Sequence, residues 1–137
     1  MSVSNSGLTS LDVEAMRAAA EDAVDGTLRS FVEFTDEEFR PVYVDDVTRS
    51  FYDDEAHMLE HFEEIHSYVH IDFTETDFFT DGLFPLASDV RYHATSLDVF
   101  TLVRVYFGDE GVFVALDHED PVEPVVTAIE AVHDEAA

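Results

Sequence analysis

Four of the seven histidines fall on one stretch of the chain, as the pairs His57 and His61 and His66 and His70. On a helix, a spacing of four residues brings two imidazoles to the same face, where they can share a metal ion. His57 and His61 are the candidate pair for a transition metal, with Asp54, Glu60, Glu63 and Glu64 nearby. Projecting the helix puts His57 and His61 on its outer side and His66 and His70 beside its apolar stripe, so the four cannot meet at one ion. No Glu follows the first His of the pair, as the general base of a His-Glu-x-x-His protease would. The plainer reading is a set of solvated or half-buried imidazoles. Surrounding acids favour their protonated form, which suits a counterion or a pH-sensitive interface. The acid-rich run Asp117, His118, Glu119 and Asp120 lies where a strand meets a helix and offers oxygen ligands to a hard cation, but it lacks the ligand ladder of a Ca²⁺ loop.

A second group is aromatic. Phe73, Phe78, Phe79 and Phe84, with Met58 and Phe62 on the preceding helix, form either ordinary core or the wall of a small-molecule pocket or association surface. An exposed patch of several hundred Å² would mark the latter. No phosphate-binding Gly-rich loop, dinucleotide turn or Gly-x-Ser-x-Gly elbow occurs, so the common hydrolase and nucleotide-binding classes are disfavoured. Among 32 acids, paired carboxylates arise by chance and single out no catalytic pair.

The charge balance narrows the setting. Against those 32 acids stand six basic residues, all Arg, for a formal net charge of -26. Such a surface repels itself in dilute buffer, whereas at molar salt the Debye length falls to about 3 Å and the repulsion is screened. Densely hydrated carboxylates also keep a protein soluble where salt strengthens apolar association. The composition therefore predicts a halophilic cytoplasmic protein that needs high K⁺ for stability and carries no cofactor. Twelve Phe and five Tyr in 137 residues are too much apolar material for a disordered chain. There is no Cys, no apolar run long enough to span a bilayer and no basic footprint for nucleic-acid phosphates.

These residues must be positioned by one domain over 9–137, after a flexible leader over 1–8. Thr9 or Ser10 is expected to cap a helix carrying Val13, Met16, Ala20 and Val24. Strands follow over 28–34 and 39–44, with Pro41 confining the second to a sheet edge. A loop over 45–52 leads to a helix that Asp53 or Asp54 caps and that runs to about residue 69, with Met58, Phe62, Ile65 and Val69 inward. The span 71–88 reads as an ordered connection packed over the core. Strands over 90–95, 99–107 and 112–117 then precede a closing helix that opens at Pro121 and turns Val122, Val125, Val126, Ile129 and Val132 to one side.

The resulting fold class is α+β: a five-stranded, mostly antiparallel sheet with three main helices in the order α-β-β-α-β-β-β-α. That order, from Ser10 to Glu135, resembles the roadblock, profilin and PAS-like group. In roadblock-like proteins it implies pairing through sheet edges and the central helix, in the service of small GTPases. Tyr43, Val44, Asp45, Asp46 and Val47 are also similar to a stretch in small acidic haloarchaeal proteins, without the Arg that precedes the Asp pair there. The expected function is an interaction or adaptor module acting as a homodimer or on another acidic protein, not an enzyme. The alternative is a small-molecule or metal-sensing domain using the Phe-lined pocket or the helix histidines.

Overall fold

The computed structural model describes residues 8–24 and 26–136, apart from the side chains of residues 70, 72 and 136. The expected leader, except residue 8, and the direction of the His70 imidazole therefore lie outside the described residues. Five helices and five strands follow one another: α1 (Val13–Ala23), β1 (Leu28–Thr35), β2 (Phe39–Val44), α2 (Asp46–Arg49), α3 (Glu55–His66), α4 (Val69–Asp77), β3 (Tyr92–Ser96), β4 (Phe100–Phe107), β5 (Glu110–Asp117) and α5 (Val122–Ala136). A wide π-type turn over Phe78–Leu83 extends α4.

The strands form one antiparallel sheet in the order β2-β1-β5-β4-β3. β2 is an edge strand, as Pro41 requires. Pro41 pairs with Val32, and the register slips beside it because a residue without an N–H cannot continue the ladder. Asp109 follows Gly108 in the turn between β4 and β5, and Gly108 takes the positive φ of 72° that the reversal needs.

β5 sits in the middle, and six consecutive residues of it, 111–116, are buried, as expected of a strand covered on both faces. On one face Val103, Val105, Val112, Val114 and Leu116 pack with Met16 and Ala20 of α1 and Val125, Val126 and Ile129 of α5. The opposite core is smaller: Val32, Phe34, Val69, Tyr106 and Phe113, with Phe62, Phe73, Val90 and Leu102 around it. Phe62 of α3 and Val69 and Phe73 of α4 cover that side, with Val90 of the loop before β3.

Several boundaries differ from the sequence reading. Asp12, not Thr9 or Ser10, caps α1, accepting from Ala15 N. Thr9 instead donates to Glu33 and Ser10 to Glu110, so both tie the chain to the sheet. Within the expected loop at 45–52, Asp45 accepts from Thr48 N and caps the short α2. The long helix breaks at Ser67 and Tyr68, whose N–H groups reach back three residues and tighten the turn. Ile65 is accordingly 36% exposed, and the inward place passes to His66, whose Nε2–H donates to the Thr35 carbonyl at 2.8 Å while its ring lies against Phe39. The buried side of α3 and α4 thus runs Met58, Phe62, His66, Val69 and Phe73.

Glu33 is wholly buried in β1 and holds two partners at 2.6 Å, the Thr9 hydroxyl and Arg40 Nε. A buried carboxylate is tolerable only while its donors remain. Replacing Arg40 by Ala should lower stability by about 1–3 kcal/mol, read as a lower denaturation midpoint at fixed high KCl. An unchanged midpoint would show that Arg40 does not support Glu33.

Asp45 couples folding to pH. Burial pushes its carboxyl up, but hydrogen bonds from the Thr48 hydroxyl and backbone and from Arg29 outweigh this and leave its pKa below the ordinary value. A depressed folded pKa contributes stability that is present above the unfolded value, about 3.9, and lost as pH falls through the folded one. Asp45→Asn should therefore flatten the loss of stability below about pH 4, checked by denaturation from pH 6 downward at constant KCl. An acid limb as steep as that of the parent would exclude this contribution.

Candidate functional site

The segment from α3 to the start of β3 carries most of the chemistry-bearing residues singled out in the sequence, and the structure divides them into three places. The first is the outer side of α3. Tyr52, brought back by α2, inserts between the two candidate metal ligands: its ring centroid is 5.4 Å from that of His57 and 5.6 Å from that of His61. Its hydroxyl bonds His61 Nδ1 at 2.8 Å, and the Asp53 N–H donates to His57 Nδ1 at 3.1 Å. Burial raises the Tyr52 pKa, so the hydroxyl stays protonated and able to donate. With both Nδ1 atoms engaged, only the Nε2 atoms are on offer to a metal. Among the described residues no group of three or more His, Asp or Glu gathers to hold one.

The second place is the underside of α3 and α4. Met58 is fully buried and Phe62 partly so. Phe73 is also partly buried, 6.1 Å from the Phe34 ring and 5.9 Å from Tyr106. These three candidates hold the helices against the sheet.

The third place is the π-type turn and the loop after it, where the expectation of a connection packed over the core fails. Phe78 is 57% exposed, Phe84 58%, Leu83 49% and Leu86 fully so. Phe62, Phe73, Val90 and Leu102 already close the smaller core, and the chain beyond Asp77 leaves the sheet instead of crossing it. Tyr68 and Ile71 add exposed apolar surface on the side of α4 away from the core. Phe79 and Phe84 stack at 6.0 Å and, with Ala87, Val90 and His93, line a shallow hollow of about 250 Å³. His93 Nε2 is enclosed there without a hydrogen-bond partner among the described residues.

A larger polar cleft of about 480 Å³ adjoins the hollow, with Thr76, Asp77, Arg91, Glu130 and His133 among its walls. Arg91 holds Glu130 through two bonds, at 2.7 and 3.0 Å, and Tyr92 donates to Glu123 at 2.7 Å. The Glu130 bond above all raises the Arg91 pKa, and the Tyr92 hydroxyl holds Glu123 below its usual range. These contacts anchor β3 to α5 and place a satisfied ion network beside the apolar surface.

Sequence reasoning found the aromatic residues but missed that Tyr68, Ile71 and Leu86 are exposed as well. The usable signals were the Ser67–Tyr68 break and the position of Leu86 directly after Pro85, in a stretch with no strand partner. What the arrangement offers is apolar contact area rimmed by charge, and a small aromatic hollow with one imidazole in its wall.

No helix among the described residues is long and apolar enough to cross a membrane. A scan against protein-family models finds no match, and no curated protein matches the sequence. Among solved structures the chain is similar to a Roadblock/LC7 domain from Streptomyces avermitilis, with 14% identity over 87% of this chain and 89% of that one and a TM-score of 0.49.

Proposed function

We propose that this chain is a non-enzymatic interaction module of a halophilic cytoplasm, and that it pairs with a second copy of itself through the exposed face of α4, the π-type turn and the loop to β3. The observation that carries this reading is the gathering of Tyr68, Ile71, Phe78, Leu83, Phe84 and Leu86 on the surface of one continuous segment. Single exposed apolar residues are ordinary, but a contiguous group with a polar rim is the usual mark of an association surface. Concentrated salt acts twice on such a face: it strengthens apolar association and screens the repulsion between two copies of charge -26. Pairing should therefore be salt-dependent. The element order, which resembles that of roadblock-like adaptors, agrees with a binding role.

A ligand-binding reading is favoured by one observation, the His93 Nε2 beside the Phe79 and Phe84 hollow, which has no hydrogen bond among the described residues and only the Glu75 carboxylate at 3.9 Å. The same experiment separates the two. Light scattering in about 2 M KCl, where the Debye length is a few Å, should give the mass of a dimer, and Phe78→Ser with Phe84→Ser should return it to a monomer. A parent protein that is monomeric under these conditions overturns the pairing and moves the weight to the hollow.

The halophilic part of the reading has its own test. Unscreened repulsion on this scale exceeds the usual stability of about 5–15 kcal/mol, so dialysis into dilute buffer should unfold the chain, with loss of near-ultraviolet circular dichroism and recovery in KCl. A cooperative melt that survives desalting would remove the claim.

A further inference from the structure

Away from the apolar face, β1 begins beside the end of β5, and the two carboxylates that close β5 meet the backbone that enters β1. Asp117 Oδ1 accepts from Arg29 Nη2 at 2.8 Å and its Oδ2 from Thr27 N at 3.1 Å. Asp120 Oδ1 accepts from Gly26 N at 2.9 Å. The other end of the Arg29 guanidinium is held by Asp45 at 3.0 Å. Two carboxylates, Asp45 and Asp117, therefore share one guanidinium, and with Asp120, which the guanidinium does not reach, these four groups carry two negative charges in excess.

The Asp120 side chain is enclosed in this corner. The residue is 8% exposed, and its Oδ2 is inaccessible and has no hydrogen-bond partner among the described residues. A buried carboxylate oxygen without a donor is costly, because it has given up water and gained nothing. That oxygen is directed at a defined place. A Cβ added to Gly26 would stand 3.0 Å from Asp120 Oδ2 and 2.5 Å from Asp117 Oδ2, so both oxygens converge in front of the Gly26 Cα. Only a residue without a side chain leaves that space open.

We propose that this corner is a binding site for a partly hydrated divalent cation, with Asp117 and Asp120 as its protein ligands. The donors are carboxylate oxygens, which suit a hard ion. A small divalent ion of the Mg²⁺ kind is commonly held by one or two carboxylates, with water filling its remaining positions. Its two charges equal the excess at the corner. Bound there, it would tie the start of β1 to the turn before α5 and lift the repulsion between Asp117 and Asp120.

Mn²⁺ is the probe, because a paramagnetic ion broadens the amide signals nearest to it. In ¹⁵N-labelled protein held in about 2 M KCl, which screens diffuse attraction to the acidic surface, the Gly26, Thr27 and Asp120 amides should vanish first as Mn²⁺ is added. Excess Mg²⁺ should restore them, and Asp120→Asn should abolish the preference. Broadening that appears first at other acidic stretches, such as 36–38 or 63–64, would overturn the proposal. So would a failure of Mg²⁺ to compete, or undisturbed corner signals. If the Asn variant does not fold, the order of signal loss in the parent and the Mg²⁺ competition decide alone.

Discussion

Burial of the central strands from both sides is the constraint from which the rest of the fold follows. β5 buries 111–116 without a break, and its neighbours β1 and β4 alternate between two cores. A sheet of this kind cannot be half-covered, because each exposed face would leave a row of Val, Leu and Phe in water. α1 and α5 settle one side completely. The other side is left to the chain between β2 and β3, which has to supply cover and carry the return path to the far edge of the sheet in one continuous segment. It covers the middle with Met58, Phe62, His66, Val69 and Phe73 and then departs, and Phe78, Leu83, Phe84 and Leu86 are left exposed before Val90 returns to the core. The exposed surface is thus a consequence of the same topology that builds the core.

Most of the architecture is legible in the sequence because it rests on local signals. The two-residue period of β4, the unbroken apolar run of β5, the Gly108 turn, the edge position of Pro41 and the helical period of α1 and α5 are all written in adjacent residues. What escapes local reading depends on a partner distant in sequence. Ile65 and His66 have equal claims to the inward side of α3 on spacing alone. His66 takes it because the Thr35 carbonyl, thirty-one positions away, needs a donor. Thr9 looks like a helix cap until Glu33 is seen beside it.

The same distinction governs the candidate sites. The aromatic run at 73–84 is conspicuous in the sequence, but no pattern of types says that Phe73 faces the sheet while Phe78 and Phe84 face solvent; that depends on where the smaller core is already full. The helix histidines are equally conspicuous, yet nothing in their spacing reveals Tyr52 between them. The corner of Asp117 and Asp120 gives the weakest signal of all. Its acids are lost among 32, and its geometry appears only when Gly26 and Thr27 arrive some ninety positions away in the chain.

Five of the six Arg residues show how a chain this acidic holds its shape. Arg17 pairs with Glu14 and Glu21 within α1, and Arg49 reaches from α2 to Glu55 in α3. Arg40 supports the buried Glu33 across the first hairpin. Arg29 joins the ends of β2 and β5, and Arg91 fastens the β3 edge to α5. Isolated exposed pairs contribute little to stability, and their number is no argument by itself. Their placement is, because Arg29, Arg40, Arg49 and Arg91 each join separate elements, and an arginine can bind two carboxylates through its fork while a lysine offers one compact charge. The remaining acids lie mainly on exposed surface, where water and counterions can screen them. Repulsion is thus opposed directly where elements must meet and left to the solvent elsewhere, so the joining of the elements rests on arginine geometry at their seams.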